Sequence, residues 1–175
     1  KEDIYLNIGV YRGFSLLAGM LNTKCKVYGI DNYSHKYSDG DLSLSSGDNF
    51  HENIKSREYF FSFFNKYKSS EKHSIFEIDY KEFFSKFNEH ISFYYYDGDH
   101  SYKEQLDNLL IADQFLKKNS LILVDDYNED QVEKATLEFI SKNSSKYKVI
   151  KEFKTANRFI HPTYANGIIL FEKHS

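Results

Sequence analysis

IYLNIGVYRGFSLLAGMLNTKCKVYGID, residues 4–31, decides the fold. Its first six residues, 4–9, are a short apolar run that closes on a glycine, as a buried strand does. Gly9 and Gly13 bracket a turn, and residues 14–22 then place Leu16, Leu17, Met20 and Leu21 along one helical stripe. A second strand, 26–31, ends on Asp31. Strand, glycine turn, helix and strand make one βαβ unit, which implies a parallel sheet with a helix on its face.

The same alternation continues outward. Residues 32–53 are polar and rich in Ser, Asp, Gly and Asn, and read as a long loop. An amphipathic helix follows at 54–68, with Ile54, Tyr59, Phe60, Phe63, Phe64 and Tyr67. Then come a strand at 74–78, a helix at 80–88 and a strand at 91–96 that ends at Asp97. The helix at 101–117 turns Leu106, Leu109, Leu110 and Phe115 inward, and the strand at 120–124 ends at Asp125. A helix at 129–142 buries a face that includes Val132, Ala135, Leu137 and Phe139. Two strands, 147–153 and 167–172, have no helix between them and should pair antiparallel, with the only proline, Pro162, in their loop. Strands alternating with helices in this way predict an α/β Rossmann-like fold, a mostly parallel sheet covered on both faces.

The chain of 175 residues fits a single domain, 1–175. The first strand begins at about residue 4, so either the domain is minimal or an N-terminal cap segment precedes it. A net charge of −3 and a pI near 6.2 give no footprint for nucleic acid or for an anionic membrane. No apolar run reaches the roughly 18 residues of a membrane span. The lone cysteine, Cys25, forms no internal disulfide, which favours a reducing, cytoplasmic setting. Self-association as a homo-oligomer stays open. The 16 Phe and 15 Tyr are read as core material.

In a doubly wound sheet, ligands sit beyond the C-terminal strand ends. Five consecutive strands deliver a glycine turn or a carboxylate to that edge: Gly9–Gly13, Asp31, Asp79, Asp97 with Asp99, and Asp125 with Asp126. A glycine turn lets a ligand approach the backbone closely, and a carboxylate at the end of the second strand can accept both hydroxyls of a ribose. This half reads as a nucleoside-cofactor site. Tyr11 stands where a dinucleotide fingerprint would place its second glycine, which disfavours a pyrophosphate. Asp79 can meet an adenine amino group or cap the helix that starts at Tyr80. Asp97, Asp125 and Asp126 sit on adjacent strand ends, where their repulsion is relieved by a divalent cation, and all-oxygen ligation suits Mg²⁺, Mn²⁺ or Ca²⁺.

Three motifs in this order, YLNIGVYRGFS (5–15), DGDHSY (97–102) and LVDDY (123–127), resemble the class I S-adenosylmethionine (SAM)-dependent methyltransferases. More narrowly, they resemble the methyltransferase domain of the 24 type, the group with the macrocin-type sugar O-methyltransferases. The spacing from Asp97 to Asp125 is also similar to the metal motif of catechol O-methyltransferases. The resemblance implies the strand order 3-2-1-4-5-7-6 with strand 7 antiparallel. It implies SAM contacts from Gly9 and Gly13, with Asn7, Tyr11 and Ser15 on the same turn, Asp31 on the ribose, Asp79 near adenine, and Asp97 beside them. Asp97, Asp125 and Asp126 would be the metal ligands. Asn7 departs from the family, which has an acid there to hold the positive amino group of SAM.

The function so implied is metal-assisted methyl transfer to a hydroxyl of a small-molecule acceptor, a sugar or polyol. Asp99 or His100 would take the hydroxyl proton, with Asp99 favoured. His35, His51, His90 and His161 show no partner spacing. Two rivals remain at this level. The Asp97-Gly-Asp99 triplet imitates the DxD motif of metal-dependent glycosyltransferases, and Asn7 suits a non-catalytic SAM-fold binding module.

Overall fold

The computed structural model describes residues 2–21, 23–34, 46–69, 71–155 and 166–175, with side chains omitted over 46–53. Its elements are β1 (Ile4–Ile8), α1 (Phe14–Met20), β2 (Lys26–Ile30), α2 (Ser46–Tyr67), β3 (His73–Phe76) and α3 (Tyr80–Lys86). There follow β4 (Ile91–Tyr96), α4 (Tyr102–Asp113), β5 (Leu116–Val124), α5 (Asp130–Lys142), β6 (Tyr147–Phe153) and β7 (Ile168–Lys173). One seven-stranded sheet has the order β3-β2-β1-β4-β5-β7-β6. β1 to β5 pair in parallel, and β7 runs antiparallel to both β5 and β6. This is the Rossmann-like arrangement expected from the sequence.

Two apolar layers hold the sheet. On one face Tyr5, Val10 and Val27 pack against Leu16 and Met20 of α1 and Phe60 and Phe64 of α2. On the other, Leu6, Ile8, Ile30, Tyr94, Tyr96, Ile122, Val124 and Phe171 pack against α3, α4 and α5 through Phe83, Phe84, Leu109, Val132 and Phe139. The tyrosine run of β4 splits between the layers because successive side chains point to opposite faces. Burial of each large apolar side chain stabilises by about 1.5–3 kcal/mol, so this aromatic-rich core carries most of the folding energy.

After β3 the chain crosses to the far side of β1 to form β4. That reversal makes the switch point of the sheet fall between β1 and β4. The strand ladder also continues one residue past β1, β2, β4 and β5. Gly9 N–H donates to Ile30 O (3.0 Å), Asp31 N–H to Phe76 O (3.1 Å), Asp97 N–H to Ile8 O (2.9 Å) and Asp125 N–H to Tyr96 O (3.0 Å).

Several expectations need correction. α4 ends at Asp113, and β5 begins at Leu116. Phe115 therefore belongs to a strand lead-in rather than to the helix, since its carbonyl accepts from Ile91 N–H at 2.9 Å. A short apolar run at a helix end has no periodicity of its own to mark this switch. α2 begins at Ser46, so the second part of the expected 32–53 loop is helical backbone. Leu110 and Leu137 lie on exposed helix faces, as do Ile54, Tyr59 and Tyr67 of α2, while Leu21 lies just past the end of α1 and is exposed as well. The Pro162 loop, residues 35–45, the His51 side chain and His161 lie outside the described residues. Among the described residues no helix is long and apolar enough to cross a membrane.

Candidate active site

The glycine turn is built by close approach of two backbones. Gly9 has φ of 80°, and a Cβ there would lie 1.8 Å from the carbonyl oxygen of Asp97. Gly13, at φ 83°, faces the buried ring of Phe60, which a Cβ would meet at 2.2 Å. Between them Tyr11 is also left-handed, at φ 48°, which a non-glycine residue adopts only when its surroundings enforce it.

Asp31 is what enforces it. Its Oδ2 accepts from Val10 N–H (2.8 Å) and Tyr11 N–H (2.7 Å), and its Oδ1 accepts from Tyr33 N–H (2.7 Å). An ionised carboxylate has about four acceptor sites, so a ligand shares Asp31 with the turn it holds. Sequence reading assigned this residue to a ribose alone and had no signal for the backbone role. Asp79 caps α3, accepting from Lys81 N–H at 2.8 Å, which is the capping alternative stated above.

Asn7 is fully buried on β1. Its Oδ1 accepts from the Ser15 hydroxyl at 3.3 Å, while its Nδ2 has no partner among the described residues. A buried amide donor without an acceptor costs about 1–3 kcal/mol. At the glycine turn, such a group fits a polar ligand with an acceptor to offer. Tyr11 and Phe14 stand exposed beside it, Phe14 at 89 %.

Across the switch point, β4 and β5 bring an acidic centre to the same edge. Asp97 follows β4, and the Asp125–Asp126 pair follows β5. Burial pushes the Asp97 carboxyl upward, and the nearby charges of Asp125 and Asp126 add to this. Burial raises Asp125 too. Both oxygens of Asp125 are engaged, Oδ2 by the Tyr95 hydroxyl and Oδ1 by Asp126 N–H at 2.9 Å.

His100 enters this centre. Its Nε2 lies 3.0 Å from Asp126 Oδ2 and 3.8 Å from Asp97 Oδ1, and its Nδ1 lies 3.3 Å from Glu129 Oε2. Burial opposes a charged imidazole, but Asp126, Asp97 and Glu129 outweigh it and raise His100 to about 10. Asp99 is exposed outside the cluster, and its Oδ1 accepts from Ser101 N–H at 2.8 Å. Glu129 and Tyr95 were missed by sequence reading. Glu129 is the N-cap residue of α5 and looks like ordinary capping. Tyr95 is one of three consecutive tyrosines.

Whether these groups suit a divalent cation follows from the donors present. One ligand atom each from Asp97, His100 and Asp126 lie within 4.8 Å of one another, a set of two carboxylates and an imidazole that fits such an ion. The loop that carries Asp126 and Glu129 is fixed from behind. Asn128 Nδ2 donates to Thr155 O (2.8 Å), Asn128 N–H to Asn166 O (2.7 Å), and Asn166 Nδ2 to Glu129 Oε1 (3.2 Å).

Comparison with known proteins agrees with this architecture. A family model described as a methyltransferase domain matches residues 6–127. A search of curated proteins finds no match. Among solved structures, the O-methyltransferase NovP superposes with a TM-score of 0.69 at 17 % identity, covering 100 % of this chain and 73 % of that one. The O-methyltransferase TomG of Streptomyces achromogenes, in complex with SAM and involved in tomaymycin synthesis, gives 0.65 at 10 % identity, covering 99 % and 74 %. An rRNA methylase of Streptococcus thermophilus gives 0.65 at 11 % identity, covering 99 % and 88 %. At such identities these likenesses speak for the fold.

Proposed function

The chain belongs to the methyltransferase-domain family, matched over residues 6–127, and from this premise we propose that it transfers a methyl group from SAM to a hydroxyl of a small molecule, a sugar or polyol, with help from a divalent cation. The observation that carries this reading is the contact of Gly9 with the Asp97 backbone. It sets the nucleoside half directly against the acidic centre, so a methyl donor and a hydroxyl acceptor bound in the two halves are neighbours. The DxD glycosyltransferase alternative has no counterpart for this glycine turn. The fold is shared with rRNA methylases, but a net charge of −3 is poorly suited to an RNA acceptor, whose binding is dominated by phosphate neutralisation.

SAM supplies an electrophilic methyl on a sulfonium, and a divalent cation supplies charge that orients and acidifies a hydroxyl. The chain's own residues do the rest. Asn7 and Ser15 would meet the amino-acid end of SAM, Asp31 would hold the turn and one ribose hydroxyl, and Asp79 would stand at the adenine end. Asp97, Asp126 and His100 would hold the cation. With His100 held between the cation and Glu129, Asp99, exposed at the same strand end, would take the acceptor proton. The close approach of the turn to the acidic centre would hold donor and acceptor near one another, and such proximity lowers the barrier to a displacement.

Calorimetric titration of SAM and S-adenosylhomocysteine (SAH), followed by a methyl-transfer screen of sugars with adjacent hydroxyls, tests the reading. Micromolar SAH binding and transfer to a hydroxyl support it, and a folded protein that binds neither ligand ends it. The orphan amide gives a sharper check. Asn7→Asp should weaken SAH about tenfold, a loss of roughly 1.4 kcal/mol, because the orphan Nδ2 donor suits an acceptor such as the ligand's carboxylate, which a second carboxylate at residue 7 would repel. The ligand-free protein should also lose stability, because an unpaired buried carboxylate costs more than a buried neutral amide. Tighter SAH binding by this variant would mean that the ligand's ammonium, not its carboxylate, faces residue 7.

A further inference from the structure

The acidic centre does not close as three strand-end aspartates would. Asp125 has one oxygen on the Tyr95 hydroxyl and the other on Asp126 N–H. Between Asp97 and Asp126 stands His100, Nε2 foremost. Its second nitrogen faces Glu129, and Glu129 is itself anchored by Asn166. A metal-bound histidine generally donates its other ring N–H to a carboxylate, which fixes the tautomer and the ring direction. Glu129 is placed to accept that bond from Nδ1, which leaves Nε2 as the donor atom aimed between two carboxylates.

We propose that the cation of this chain is held by Asp97 and Asp126 through oxygen and by His100 through Nε2, with Glu129 as the outer partner and Asp125 kept aside by Tyr95. The proposal rests on the metal-assisted reading above, and it changes what that site selects. Mg²⁺ and Ca²⁺ take oxygen ligands. An imidazole nitrogen shifts preference toward first-row transition ions, among which Mn²⁺ also suits the two carboxylates of this site. The site therefore takes Mn²⁺ in preference to Mg²⁺, whereas the sequence suggests an all-aspartate centre open to Mg²⁺, Mn²⁺ or Ca²⁺ alike.

The test is Mn²⁺ binding to the whole chain, followed by calorimetry and by pulsed electron paramagnetic resonance, which detects a ligating ¹⁴N directly. The wild type should show ¹⁴N coupling on bound Mn²⁺ and bind Mn²⁺ more tightly than Mg²⁺. His100→Ala should abolish the coupling and weaken Mn²⁺ by about 100-fold, and Glu129→Gln should weaken it by about tenfold, within the range found for outer partners. Asp125→Asn should weaken Mn²⁺ clearly less than Asp126→Asn does, as expected for a group outside the coordination sphere. Bound Mn²⁺ without ¹⁴N coupling overturns the proposal, as does an Asp125→Asn loss equal to that of Asp126→Asn. SAH titration in EDTA separates the two levels. SAH binding without Mn²⁺ binding removes the cation site alone, whereas loss of SAH binding by the folded wild type strikes the methyltransferase reading itself.

Discussion

Gly9→Ala should cost about 4 kcal/mol or more of folding stability and leave no measurable SAH binding. Two effects add. The left-handed backbone at φ 80° costs an L-residue about 1–2 kcal/mol. The larger effect is steric, because the new methyl would lie 1.8 Å from the Asp97 carbonyl oxygen and 2.5 Å from its carbon. That obstacle is main chain in the middle of a parallel sheet, and it cannot rotate away as a side chain can. Relief requires β1 and β4 to part at the switch point. A whole domain is stable by only about 5–15 kcal/mol, so the variant sits near the limit of folding. Urea unfolding monitored beside SAH titration reads both quantities. A Gly9→Ala protein with the wild-type midpoint and affinity would show that the two halves do not touch.

Asp31→Asn should weaken SAH by about 100-fold in a protein that still folds, with a stability loss of about 2–4 kcal/mol. The substitution keeps shape and removes an acceptor. The three N–H groups of Val10, Tyr11 and Tyr33 converge on two carboxylate oxygens, and an amide presents NH₂ to one of these directions. Whichever way it turns, a donor meets a donor. Tyr11, which keeps a positive φ, then relaxes and takes the turn with it. Unchanged SAH affinity in Asp31→Asn would mean that the carboxylate neither shapes the turn nor meets the ligand.

Much of the architecture was legible in the sequence because the strands are short, apolar and stopped by Gly or Asp. The βαβ reading of residues 4–31 and the antiparallel closing pair follow from such local signals. The strand order came from family resemblance rather than from periodicity. Where the backbone changes state inside a uniform composition, the sequence is silent. Ser46–Asn53 has no apolar stripe to announce a helix, and Phe115-Leu116 suits a helix end as well as a strand start.

At the site, residue identity was readable and partnership was not. The sequence placed Asp97, His100, Asp125 and Asp126 at one edge. It could not say that Tyr95 would occupy Asp125, or that Glu129, 29 positions after His100, would hold the imidazole. Those pairings depend on which face of β4 a tyrosine takes and on how the α5 cap is anchored. Asn7 was recognisable as a departure from the family, but only its burial reveals an amide without an acceptor.

The ladder bonds that run one residue past β1, β2, β4 and β5 divide the labour within the molecule. Gly9, Asp31, Asp97 and Asp125 are part of the sheet's cooperative unit, so they move only when its centre opens. Their backbone positions are set before any ligand arrives, so little binding energy is diverted to arranging them. Adaptation to the shape of an acceptor therefore falls to elements beyond the ladder, and new specificities can arise there while the chemical edge stays as it is.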